Sequence, residues 1–150
     1  MSSLANNYKR RKISFKYGKG SFLYSSRGRR YLDFVQGIAV NSLGHTNQHL
    51  VKKLKNQANK LWHVSNAFEI PEGEKLAKRL TENTFAEAVI FQNSGAEATE
   101  AAIKFARRYF YSIGKHNKNR IICIKNSFHG RTIAAISASG SKKNDKWIWT

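Results

Sequence analysis

The sequence predicts an α/β protein. The main sign lies in its second half, where AVIFQ (88–92) and RIICIK (120–125), two short and almost wholly apolar runs, flank an alanine-rich stretch at 95–112. Apolar runs of that length suit strands covered on both faces. A strand, a helix and a second strand within forty or so residues make a βαβ unit, most simply right-handed and parallel. A second sign is the period-two stretch SFLYSSRGRRYLDF (21–34), which reads as a β-hairpin followed by a helical pattern.

Taken in order, residues 1–20 have no clear periodicity and are read as an arm. In the hairpin, Phe22 and Tyr24 alternate with Leu23 and Ser25, Ser25–Gly28 makes the turn, and Tyr31–Phe34 returns. SLGHTNQ (42–48) is a loop, and HLVKKLKNQANKLW (49–62) carries leucines and valine at helical spacing with lysines opposite. Pro71 suits the first position of a second helix, because its missing N–H would be unpaired there anyway. Glu72 and Glu74 then complement the positive end of the helix dipole. The long helix 95–112 has Ala98, Ala101, Ala102, Phe105 and Tyr109 along one side and Gly114 to end it. NSFHGRT (126–132) is a small-residue turn, and IAAISAS (133–139) fits either helix or strand.

Composition narrows the class. A chain of 150 residues with 41% hydrophobic content is long enough for a domain with its own core. No run reaches the roughly 18–20 apolar residues of a membrane helix. The amino-terminal MSSLANNYKRRK has no apolar segment of the secretory type. A single cysteine, Cys123, suits a reducing compartment and reads as inert strand core. Together these point to a cytoplasmic protein. The net charge of +18 raises the question of a nucleic-acid partner. The basic residues are scattered, however, with only two short clusters, Lys9–Lys12 and Arg27–Arg30. Solvated lysines explain such a distribution better, so a nucleic-acid-binding module stands as the alternative from another class.

Two loops follow the carboxyl ends of predicted strands, which is where open parallel sheets bind ligands. In NSGAEA (93–98), Gly95 permits close approach of a ligand and Ser94 offers a hydroxyl. The N–H groups of Gly95, Ala96 and Glu97 open the helix and suit a phosphate monoester. Ser94 also suits the N-cap position, with Glu97 three residues on as its capping-box partner. Neither the nucleotide P-loop pattern nor the dinucleotide G-x-G-x-x-G is present. His45 and His49 are four apart, as metal ligands on a helix can be, but no carboxylate or cysteine nearby in the sequence completes a set, so no metal site is expected.

FQNSGAEATEAAIKFARRY (91–109), with FHGRT (128–132) beyond it, resembles the class III pyridoxal-phosphate aminotransferases. YLDFVQGIAVNSLGH (31–45) and LWHVSNAF (61–68) resemble the acetylornithine branch of that family. The resemblance extends over about residues 15–141. It implies a fold-type-I transferase, with an amino-terminal small-domain segment at 21–68 and the start of the cofactor-binding large domain, a parallel or mixed sheet, at 69–143. It also implies pyridoxal 5'-phosphate as cofactor, with Ser94, Gly95 and Ala96 at its phosphate and Phe128 stacked on its ring. Arg131 would clamp the substrate carboxylate, as a planar guanidinium can. The activity implied is amino transfer between N-acetylornithine and 2-oxoglutarate in arginine biosynthesis, by a homodimer. Ornithine, succinylornithine and 4-aminobutyrate enzymes of the class are the near alternatives.

The family's Schiff-base lysine and the acidic partner of the pyridine nitrogen lie beyond the FHGRT segment, and no lysine here sits in a matching motif. The 150 residues are therefore expected to be inactive alone. At 144–150, NDKWIWT departs from the family pattern. Its codons read one base later allow Met-Thr-Asn-Gly-Phe-Gly-Pro, and those of Lys142-Lys143-Asn144 form an adenine run. A frameshifted or misread fragment of a longer enzyme is the expectation.

Overall fold

A computed structural model describes residues 3–140, so the tail read as frameshifted lies outside the described residues. The chain divides into two compact units between Ile70 and Pro71.

The first unit holds a three-stranded antiparallel sheet in the order β1 (Phe15–Lys19), β2 (Phe22–Ser25) and β3 (Arg30–Leu32). The hairpin between β2 and β3 forms where the sequence puts it, with Phe22 opposite Leu32 and Tyr24 opposite Arg30. Its turn closes through the Gly28 N–H on the Ser25 carbonyl at 3.0 Å, with Gly28 at φ 79°. That left-handed conformation is the one a three-residue hairpin loop requires of its last residue. Strand β1 was not expected, because residues 1–20 were read as an arm. Tyr17 pairs with Tyr24 across the strands and their rings stack at 4.5 Å, while Phe15 meets Tyr31 edge-on at 5.6 Å. Cross-strand aromatic pairs of this kind hold short strands together.

After Asp33 the backbone makes one left-handed turn, α1 (Gln36–Ala39), with φ between 52° and 65° throughout. The loop that follows returns to the sheet, where Gly20 and His45 exchange backbone hydrogen bonds of 3.0 and 2.8 Å. Helix α2 (Gln48–Ala58) ends earlier than the expected 62. The Asn47 side chain caps it by accepting from His49 and Leu50 N–H, and Trp62 lies beyond its end, donating from Nε1 to the Ala58 carbonyl at 2.6 Å.

In the second unit, α3 (Pro71–Glu82) begins at the proline, with Glu72 and Glu74 in its first turn. Helix α4 (Gly95–Ser112) has the expected limits, and α5 (Ile133–Ser139) resolves the open choice at 133–139 as helix. The end of α4 is a double hydrogen-bonded cap: Gly114 at φ 74° donates to Tyr111 at 3.1 Å, and Lys115 donates to Phe110 at 2.8 Å.

Three expectations are corrected here. Residues 88–92 and 120–125 belong to no strand, and no ladder hydrogen bond joins them among the described residues, so the parallel βαβ sheet is not formed there. A strand needs a neighbour for its backbone groups, and two runs linked by a crossover need not be each other's neighbour. Cys123 is accordingly exposed rather than core, beside an Ile122 that is 99% exposed. The expected core is also small: among the described residues Ala135, on α5, is the one buried hydrophobic side chain. The apolar faces are present in the sequence, but most lack a covering layer.

Candidate functional site

The amino end of α4 is built by Ser94, whose φ of −150° sets it in extended backbone just before the helix. Its Oγ accepts from Glu97 N–H at 3.3 Å, so that donor is taken and the expectation of three free N–H groups is reduced to two. The N–H groups of Gly95 and Ala96 donate to no protein acceptor among the described residues. Nothing lies within 4 Å of where a Gly95 Cβ would stand, so this corner is open to a ligand. The Ser94 hydroxyl turns to Glu97 Oε2 at 3.4 Å, and the Asn93 amide meets Oε1 of the same carboxylate at 3.4 Å. Drawn back to Asn93 and Ser94 at the amino end, that carboxylate offsets part of the positive dipole end.

The second loop lies directly against this corner. Thr99 Oγ1 donates to the His129 carbonyl at 2.9 Å and to the Gly95 carbonyl at 3.0 Å, tying the helix's first turn to residue 129. Gly130, at φ 125°, sits so close that a Cβ there would be 2.6 Å from the Ala96 Cβ. Only glycine fits that backbone and that gap. The His129 ring is held by Ser127 Oγ at 2.9 Å from Nε2, and Ser127 Oγ in turn donates to the Ile124 carbonyl. His129 thus fastens its loop.

Flanking His129 and Gly130 are Phe128 and Arg131. Phe128 is 75% exposed. The Arg131 guanidinium carbon is 5.9 Å from the Phe128 ring centroid, within cation–π range. The structure therefore brings Ser94, Gly95 and Ala96 together with the loop that carries Phe128 and Arg131. Two unspent N–H groups at the head of a long helix, an open corner at a glycine and an exposed aromatic on the loop packed against Ala96 are the donor set and the flat face that a phosphorylated aromatic ring would use.

Three comparisons bear on this arrangement. The family model described as aminotransferase class-III matches residues 3–149, and so also takes in most of the tail set apart above. The chain belongs to the class-III aminotransferases. It is 56% identical over 140 residues to an acetylornithine aminotransferase from Agrobacterium fabrum, covering 93% of this chain and 35% of that protein. Among solved structures it is similar to an N-acetylornithine aminotransferase from Stenotrophomonas maltophilia, at 42% identity and a TM-score of 0.74, covering 82% of this chain and 34% of that one. It is also similar to an omega transaminase from Pseudomonas jessenii in complex with PMP, at 29% identity and a TM-score of 0.83 over 89% of this chain and 30% of that one. The chain thus spans about a third of the length of the relatives it matches. The family's enzymes depend on pyridoxal phosphate, and fold type I is the architecture to which these segments belong.

Sequence reasoning missed one polar contact of this class-III aminotransferase chain. His45 Nε2 lies 2.7 Å from Asp33 Oδ2, and Asp33 Oδ1 accepts from the N–H of Val35 at 3.0 Å and of Gln36 at 2.9 Å. The Gln36 N–H first, and then the His45 ring, hold the Asp33 carboxyl below the usual aspartate range. Twelve residues separate the partners, so no local pattern announces the pair. Both groups are spent on each other and on the turn, and among the described residues no cluster of three metal-ligating side chains occurs.

Proposed function

We propose that the chain supplies the cofactor cradle of a pyridoxal-phosphate-dependent aminotransferase acting on N-acetylornithine and 2-oxoglutarate. The observation that supports this is the junction of the two loops at Ala96 and Gly130, which packs the loop carrying Phe128 and Arg131 against a helix amino end with two unspent N–H groups. The Gly95 and Ala96 N–H groups would hold the phosphate, Ser94 would keep the helix end in shape, and the Phe128 face would stack on the pyridine ring. Pyridoxal phosphate, when bound, supplies the electron sink that amino transfer requires. Arg131 would orient the substrate by its carboxylate. Residues 21–68 would belong to the small domain and 69–143 to the start of the large one. Relatives named for acetylornithine, at half identity or better, support the choice of amino donor and hence arginine biosynthesis. A homodimer in the cytoplasm is the matching setting; no helix among the described residues is long and apolar enough to cross a membrane.

Pyridoxamine 5'-phosphate is the probe for the cradle, because it has no aldehyde for the many surface lysines to trap. Phosphorus NMR of the 150-residue chain should show saturable binding, weakened at least tenfold by Gly95→Val. Binding that Gly95→Val leaves unchanged would overturn the assignment.

A further inference from the structure

We propose that the cleft between the start of β1 and the β2–β3 turn binds a small phosphate-class dianion. It is a cavity of 290 Å³ lined by Lys12, Ser14, Ser26, Arg27, Arg29 and Tyr31, among others, with no carboxylate in its wall. Lys12 of one basic cluster and Arg27 and Arg29 of another, distant in sequence, line it together, and the cofactor site uses none of them.

The floor of the cleft is rigid. Ser26 N–H donates to the Ser14 carbonyl at 3.0 Å, Ser25 N–H to the Arg29 carbonyl at 2.9 Å, and Arg29 N–H to Ser25 Oγ at 3.1 Å. Ser25 is 7% exposed, so this fastening is shielded from water. The Arg29 guanidinium carbon sits 5.2 Å from the Tyr31 ring centroid, which limits the directions the side chain takes. Ser14 Oγ and Ser26 Oγ are 2.8 Å apart. One hydroxyl proton is spent between them and the other is left to donate outward. The Arg27 N–H at the turn has no protein acceptor among the described residues.

Three cationic residues therefore line one small cleft. The only acidic residues among the first seventy are Asp33 and Glu69, and Asp33 is spent on His45, Val35 and Gln36. Like charges brought together with no internal counter-charge repel, and an anion in the cleft removes that cost. Guanidinium forks and hydroxyl donors match phosphate oxygens in geometry, and the multiple positive charge favours a dianion over a single carboxylate. The volume, at the low end for small-molecule sites, suits a free phosphate or one phosphorylated metabolite rather than a polymer. This ligand is independent of the cofactor reading.

The test is an amide chemical-shift titration of the 150-residue chain with inorganic phosphate at fixed ionic strength. Saturable shifts at Ser14, Ser26 and Arg27 are expected. Arg27→Ala should weaken phosphate about five- to tenfold, while Lys52→Ala, on α2 and outside the cleft, should not. Should Arg27→Ala disturb the unbound spectrum of the turn, Arg27→Gln keeps the side chain's length without its charge and should weaken phosphate equally. Linear shifts, or equal weakening by Lys52→Ala, would reduce the cleft to diffuse charge. A duplex oligonucleotide that shifts Lys52, Lys53 and Lys55 as well, and that phosphate does not displace, would replace the small anion with a polyanion. Either result overturns the proposal.

Discussion

Gly130 is packed on Ala96 so tightly that one added methyl group would lie 2.8 Å from the Ala96 Cα and 2.6 Å from its Cβ. Gly95, one residue before Ala96, has no atom within 4 Å of the same position. The two glycines thus do different work. Gly130→Ala should cost about 1–3 kcal/mol through overpacking and the positive φ. Gly95→Ala should leave stability within about 0.5 kcal/mol or raise it, by the lost freedom of the unfolded chain. For pyridoxamine phosphate, Gly95→Ala should weaken binding despite that intact fold. Urea unfolding set beside the binding titration separates the two, and equal loss of stability in both variants would contradict the geometry.

Phe128 gives the complementary case. An aromatic that is 75% exposed has little burial to lose, so Phe128→Ala should cost under about 1 kcal/mol, against about 3–5 kcal/mol for a core phenylalanine. Its effect should fall on pyridoxamine phosphate affinity and on the ultraviolet difference spectrum of the stacked ring. A large drop in stability would place Phe128 in packing instead.

Ser94 caps α4 through a single accepted bond from Glu97 N–H. Ser94→Ala should destabilise by about 1 kcal/mol and fray the first turn, visible as faster amide exchange at Glu97 and Ala98. Ser94→Asp should restore the cap yet oppose a phosphate at the same helix end. A Ser94→Asp variant that binds the phosphate as well as the parent would remove the anion from that corner.

The carboxyl of Asp33 titrates below the ordinary aspartate range, chiefly because the Gln36 N–H and the His45 ring bond its charged form. The unfolded chain therefore binds this proton more tightly, and stability rises with pH across the window. The contribution is complete above about pH 4, the unfolded value for aspartate, and fades as pH falls through the lower folded value. Carbon NMR of the Asp33 side chain should give a midpoint under about 3.9. Asp33→Asn should flatten the acid limb of the stability curve, and an unchanged limb would deny the carboxylate its part.

Helix α4 was legible to the residue because both ends carry local chemistry, Ser94 as cap and Gly114 as the left-handed stop. Helix α3 was legible from Pro71 for the same reason. Strand β1 was not, since its alternating Phe15 and Tyr17 are interleaved with lysines beside a basic run. What decides it is ring contact with Tyr24 and Tyr31, which is not local information. The runs at 88–92 and 120–125 are apolar as strands would be, but pairing depends on a neighbour that no run specifies about itself. At the site, sequence pattern chose both loops, while the contact between them rests on Gly130 and Thr99, whose roles appear only when Ala96 and His129 are brought close.

The stretch from 120 to 124, which belongs to no strand among the described residues, carries isoleucines at 121, 122 and 124, a composition that favours the stacking of chains on one another. It is bracketed by Arg120 and Lys125, with Lys118 just upstream. Stacked in register, copies would set these positive ends above one another every 4.8 Å or so, a spacing at which like charges resist assembly. Charges that flank an apolar run in this way have the pattern of gatekeeper residues, which disfavour templated stacking.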